Sequence, residues 1–148
     1  AQDLARLDVA GLVARSPGAE ARAQAVRAAF GAGEIAARAV EETAVKHVEG
    51  AALRDRLQRL VRGWPALRDR LAAQLVPADA MRAALHAAGA PSDAAEIGVG
   101  REALRRTTLN ARFLRSRYTL LDLLDETGLL DRAVEAALPA ADAVARRG

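Results

Sequence analysis

Leucine, valine and alanine recur at three- and four-residue spacing along most of the chain, with arginines and acids between them and Gly or Pro at the breaks. That is the period of helices with one apolar face, and no stretch shows the alternation of a strand. A first short helix is predicted over 9–14. Ser16 then offers an N-cap with Pro17 at the first helical position, which predicts a second helix over 17–30, stopped by Gly31-Ala32-Gly33. A third is expected over 34–48 and should end at Gly50. The hexapeptide ALRDRL follows twice, at 52–57 and 66–71. Each copy sets two leucines four residues apart, as ordinary amphipathic patterning requires. Gly63 and Pro65 are expected to split this region into two helices around Trp64.

A short helix should follow Pro77 and stop at Gly89. Residues 89–100 read as a turn-rich connector, and 101–115 as a longer basic helix. Residues 111–130, ARFLRSRYTLLDLLDETGLL, then switch from arginine-rich to leucine-rich. The switch reads as a joint between two helices. Thr119 is placed as an N-cap with Asp122 three residues on, the spacing of a capping box, and Tyr118 is placed to staple onto Leu123. Arg117, directly before the cap, is expected to bond the last carbonyls of its own helix or to pair with Asp122 across the joint. Gly128 should end that helix. A last one is expected over 130–138, and the terminal Arg146-Arg147-Gly148 is expected to fray. The prediction is a single all-α domain, a bundle of roughly seven to nine short helices.

Composition agrees. Hydrophobic residues make up 51% of the 148 residues, charged residues 28% and aromatics 3%, without the aromatic and β-branched enrichment of sheets. Lys46 is the single lysine among 22 basic residues, and the net charge is +3. Without cysteine there is neither a disulfide framework nor a thiolate metal site. No apolar run has membrane-spanning length and no leader is recognisable, so a cytoplasmic setting with no membrane partner is expected. The chain opens on Ala1-Gln2-Asp3 rather than Met, which fits a piece of a longer protein.

Candidate chemistry is sparse. His47 and His86 lie far apart in sequence and outside any H-x-x-x-H spacing, whereas catalytic zinc usually takes three protein ligands. The two G-x-G stretches at 31–33 and 98–100 lack the strand and third glycine of a dinucleotide fingerprint. Ser16, Ser92 and Ser116 read as cap or turn residues. No catalytic, cofactor-binding or metal-binding residue is therefore assigned. One charged feature has content. On a helical wheel of 101–117, Arg101, Arg105, Arg112 and Arg115 fall on one side, beside an apolar face of Ala103, Leu104, Thr107, Ala111 and Leu114. Such a row could hold a phosphate, an acidic partner or nucleic acid, or it could be a solvated face paired to local acids. Nucleic acid is disfavoured, because Phe113, Tyr118 and Trp64 are too few for stacking platforms and read as core.

Several of these stretches carry a resemblance. Residues 85–130 resemble the C-terminal part of bacterial sn-glycerol-1-phosphate dehydrogenases, within the superfamily of iron-containing alcohol dehydrogenases and dehydroquinate synthases. AGAP (88–91) followed by EIG (96–98), the basic helix, and RYTLLDL (117–123) carry it. WPALRDRLAAQLVPADAMRAAL (64–85) and RAAFG (27–31) add to it, so it spans roughly 7–138. The resemblance implies the C-terminal helical domain of a dehydroquinate synthase-like fold. The enzyme it implies oxidises glycerol 1-phosphate to dihydroxyacetone phosphate with NAD(P) and a divalent metal, zinc, nickel or iron. In that family an N-terminal nucleotide-binding domain and the Asp and His metal ligands precede the region matched here. The implied partner is thus that domain of the same protein, with a homo-oligomer left open. The chain alone is expected to be inactive. The alternative is a stand-alone helical module that binds an acidic partner through its arginine face.

Overall fold

A computed structural model describes residues 4–138 of the protein. These residues are all-helical, and no strand occurs among them. In chain order the helices are α1 (Val9–Arg15), α2 (Ala19–Phe30), α3 (Glu34–Lys46), α4 (Gly50–Gln74), α5 (Ala78–Ala87), α6 (Arg101–Asn110), α7 (Leu120–Glu126) and α8 (Leu130–Ala137). Short 3-10 turns occupy Leu4–Arg6, Ala94–Ile97 and Ala111–Leu114. The expected fraying at 146–148 lies outside the described residues.

Local chemistry sets most of the boundaries. Asp8 caps α1 by accepting from the Gly11 amide at 3.0 Å. A Cβ at position 11 would sit 2.1 Å from an Asp8 carboxylate oxygen, so only glycine lets this cap fold back so closely. At the end of α7, Gly128 takes φ +68°, the Leu129 amide reaches the Leu124 carbonyl at 2.7 Å, and the Gly128 amide reaches Asp125 at 3.0 Å. These two bonds form a Schellman ending.

Four boundaries differ from expectation. Ser16 closes α1 rather than opening α2, because Pro17 holds it extended (ψ 130°), and α2 begins after Gly18. Helix α3 stops at Lys46 because His47 is already extended, and Gly50 opens α4 rather than closing α3. Helix α4 runs unbroken through Gly63 and Pro65 for 25 residues. Pro65 cannot donate to the Val61 carbonyl, so this turn lacks one ladder bond, but the strong helix formers on both sides carry the helix across it. Helix α6 ends at Asn110 and tightens into the turn Ala111–Leu114. The Thr108 hydroxyl, bonded back to the Leu104 carbonyl at 2.8 Å, competes with the ladder just before that point.

That tightening places the core. Phe113 is 3% exposed and packs with Val26 of α2 and Ala39 of α3. Its ring meets Phe30 edge to face, with centroids 6.4 Å apart. It also swings Leu114, expected on the core face, out to 52% exposure. Helix α2 packs on α3, α3 on the turn at 111–114, and α6 and α7 on α8. The first half of α4 packs on α1 and the N-terminal turn, burying Leu53 and Leu57. Its second half and α5 project from this body, and every residue of α5 is exposed.

Candidate functional site

The polar side chains that the fold gathers lie in one seam between α2, α3, α4 and α7. Helix α7 supplies Asp122, Asp125 and Glu126, which share a face by their i, i+3, i+4 spacing. Lys46, at the end of α3, reaches Asp122 at 2.7 Å and also donates to the Arg112 carbonyl. Both side chains of the Lys46–Asp122 pair are almost wholly buried, 6% and 11% exposed. Arg22 meets Asp125 at 2.7 Å, and Arg112 approaches the same carboxylate at 3.3 Å. Arg56 meets Glu126 at 2.6 Å and donates to the Lys46 carbonyl. The Tyr118 hydroxyl donates to the other Glu126 oxygen at 2.6 Å, with the Arg56 guanidinium 4.8 Å above its ring.

Four cations thus face three carboxylates. A cavity of about 20 Å³ remains among Arg22, Thr43, Lys46, His47 and Tyr118, room for one water. His47 Nε2, buried and without a hydrogen bond, faces this region and lies 3.6 Å from Glu49. Electrostatics follow the packing. Burial pushes the Arg112 guanidinium below its ordinary value, against the opposing pull of Asp125. Burial and then the bond to Glu126 push the Tyr118 phenol well above its ordinary value. Each carboxylate is held by a cation, so the seam ties helices together and leaves no base poised for proton transfer.

The residues singled out from sequence are distributed differently. The capping box forms: Asp122 Oδ2 accepts from both the Thr119 amide and hydroxyl at 2.8 Å. Tyr118 lies on Glu126 and Arg56, and keeps 38% of its surface exposed. Arg117 is exposed, and Asp122 is taken by Lys46 instead. The arginine row does not stay a row. Arg101 and Arg105 bind Glu135 across α6 and α8, and Arg105 adds Asp131 at 2.9 Å. The bond to Glu135 raises the already high value of Arg105. Arg112 turns inward over the Phe113 ring, at 4.3 Å, and only Arg115 remains outward on the 3-10 turn. His86 meets Ser92 at 3.0 Å, far from the seam in the fold's projecting part. Among the described residues no group of three His, Asp or Glu side chains could hold a metal, so no step through one is derived. Gly31, Gly33 and Gly98 take positive φ as helix punctuation.

Sequence reasoning missed Arg22, Lys46 and Arg56 as members of the seam. The one available signal was Lys46 itself, a lone lysine in a chain that otherwise uses arginine.

A second feature is apolar. Trp64, Leu67 and Leu71 of α4, with Leu120, Leu123 and Leu124 of α7 and Ala133 and Ala136 of α8, line an open groove of about 610 Å³. No described helix is long and apolar enough to cross a membrane, so the groove belongs to a face of the bundle. Compared with family models, curated proteins and solved structures, the chain shows no significant match.

Proposed function

We propose that the chain is the helical domain of a metal-dependent, NAD(P)-linked dehydrogenase resembling the glycerol-1-phosphate dehydrogenases. Its own part is structural: it buttresses the active-site cleft and supplies docking surface. The paired seam is the observation that carries this reading. Its acids and bases are spent on holding α2, α3, α4 and α7 together, while the apolar surface is left open for contact. The motifs behind the resemblance support it too, because they fall at the joints of the fold. AGAP lies at the turn after α5, EIG in the following 3-10 turn, and RYTLLDL at the capped start of α7.

On this reading the metal and the nicotinamide sit in the N-terminal nucleotide-binding domain and its ligand region. The metal would polarise the oxygen of the carbon that loses hydride. The dehydroquinate synthase-like arrangement of the whole enzyme is part of the same proposal. The test is an assay of the 148-residue chain with glycerol 1-phosphate and NAD(P), together with the coding DNA upstream of Ala1. No turnover, with an in-frame glycine-rich nucleotide domain and an Asp/His set upstream, is expected. Turnover by this chain alone, or a start codon immediately before Ala1, overturns the reading. An arginine face for an acidic partner has less support, since Arg101, Arg105 and Arg112 are already engaged within the bundle.

A further inference from the structure

The projecting part of the molecule carries both a ridge and a groove. Helix α5 packs substantially on no other element, yet it has an apolar stripe of Ala78, Met81 and Leu85 at i, i+3, i+7. Met81 is 54% exposed and Leu85 37%. The α4 wall of the groove, Trp64, Leu67 and Leu71, has the same i, i+3, i+7 spacing. Lengths match as well: α5 is ten residues and the projecting end of α4 is similar, about 15 Å each at 1.5 Å per residue. Alanines at 80, 83, 84 and 87 keep α5 slim enough for close helix approach.

The surface area says how much is missing. The chain exposes 10024 Å², whereas a compact monomer of 15.6 kDa exposes about 7,300 Å². Thirteen of the 148 residues lie outside the described range and could contribute at most about 2,000 Å², the area of an unfolded segment of that size. Setting that aside still leaves an excess above ~1,000 Å² for the described residues, more than the ~800 Å² per partner of a standard interface.

We infer that the occupant of the groove is α5 of a second copy of this chain. The exchange is reciprocal, each α5 lying against the Trp64–Leu67–Leu71 stripe of the other copy about a two-fold axis. It buries ridge and groove twice over and covers the exposed Leu75, Val76 and Leu120 that border them. The inference does not rest on the dehydrogenase reading.

Sedimentation velocity of the 148-residue chain over a wide concentration range tests it. The expected species has twice the 15.6 kDa mass. Met81→Glu on the ridge and Leu67→Glu in the groove should each raise the dimer dissociation constant on the order of a hundredfold or more, since each drives a charge into an apolar contact. Both positions are exposed in the single chain, so circular dichroism should show the helices intact. The absence of cysteine permits a second readout. Met81→Cys mixed with Leu67→Cys should give a crossed disulfide between unlike chains. A monomer at all concentrations overturns the inference. So does a dimer that survives both glutamates, or cross-linking only between like chains, which would place the interface elsewhere.

Discussion

The two ALRDRL copies lie on one helix and meet opposite fates. In the first, Leu53 and Leu57 are 0% and 1% exposed, and Arg56 is locked to Glu126 under the Tyr118 ring. In the second, Leu67 is 37% exposed, and Arg70 is exposed with no bond to an acid among the described residues. Helix propensity and pattern are identical, so neither decides burial. What differs is the company. The first copy faces α1, the N-terminal turn and the acidic face of α7, whereas the second extends beyond them into an open groove. A helical period therefore marks a face that can be buried; tertiary neighbours determine whether it is.

The largest effect should come from the seam that anchors the first copy. Lys46→Met leaves Asp122 buried with only the Thr119 bonds and leaves the Arg112 carbonyl unpartnered. Losing one member of a buried pair costs about 3–5 kcal/mol. Urea unfolding followed by circular dichroism would read this as a lower midpoint at unchanged slope. A loss below ~1 kcal/mol would mean the seam is effectively solvated and the contrast between the copies rests on leucines alone.

The leucines supply the next test. Leu53→Ala should cost about 2–5 kcal/mol through lost burial and the cavity left behind. Leu67→Ala, measured at dilutions where the chain is monomeric, should stay within about 0.5 kcal/mol. Equal losses in the dilute chain would erase the distinction between the halves. Arginines at the same register then sharpen it. Arg56→Ala removes the bond to Glu126, the contacts with the Lys46 carbonyl and the cover over Tyr118, for about 1–3 kcal/mol. Arg70→Ala should change stability by less than about 0.5 kcal/mol.

The legible part of this fold was local. Capping at Thr119, the stops at Gly89 and Gly128 and the starts of α1, α3 and α6 are chemistry of a few neighbouring residues, which a sequence displays. Two misplacements share one cause, since Pro65 and Ser16-Pro17 were weighed by the usual habits of proline rather than by what surrounds them. Pro65 sits within a helix whose neighbours carry it, and Pro17 fixed its predecessor instead of starting a helix. The seam was illegible for a different reason. Arg22 and Asp125 are 103 residues apart, and nothing in either local pattern names the other. The arginine row failed likewise, because a wheel assumes a continuous helix through 115 and the chain tightens at Ala111. That change turned Arg112 inward and Leu114 outward.

The smallest expected effect concerns the joint between the halves of the story, Tyr118. Its hydroxyl donates to Glu126, and Tyr118→Phe should cost about 1 kcal/mol at neutral pH, measured by urea unfolding. The variant also changes the alkaline response. Burial and Glu126 hold the folded phenol above the ordinary value of about 10, whereas the unfolded chain ionises near it. Below that value the phenol is protonated in both states and its bond contributes in full. As pH rises past it, the unfolded chain loses a proton that the folded chain keeps, so stability falls. Solvent at the exposed part of the ring softens the slope without reversing it. Tyr118→Phe should therefore flatten the decline above pH ~10. As the single tyrosine, its own ultraviolet titration gives an independent reading in the folded protein. Ionisation at the ordinary value would mean that the hydroxyl faces water, and that Arg56 alone ties this copy of the hexapeptide to Glu126.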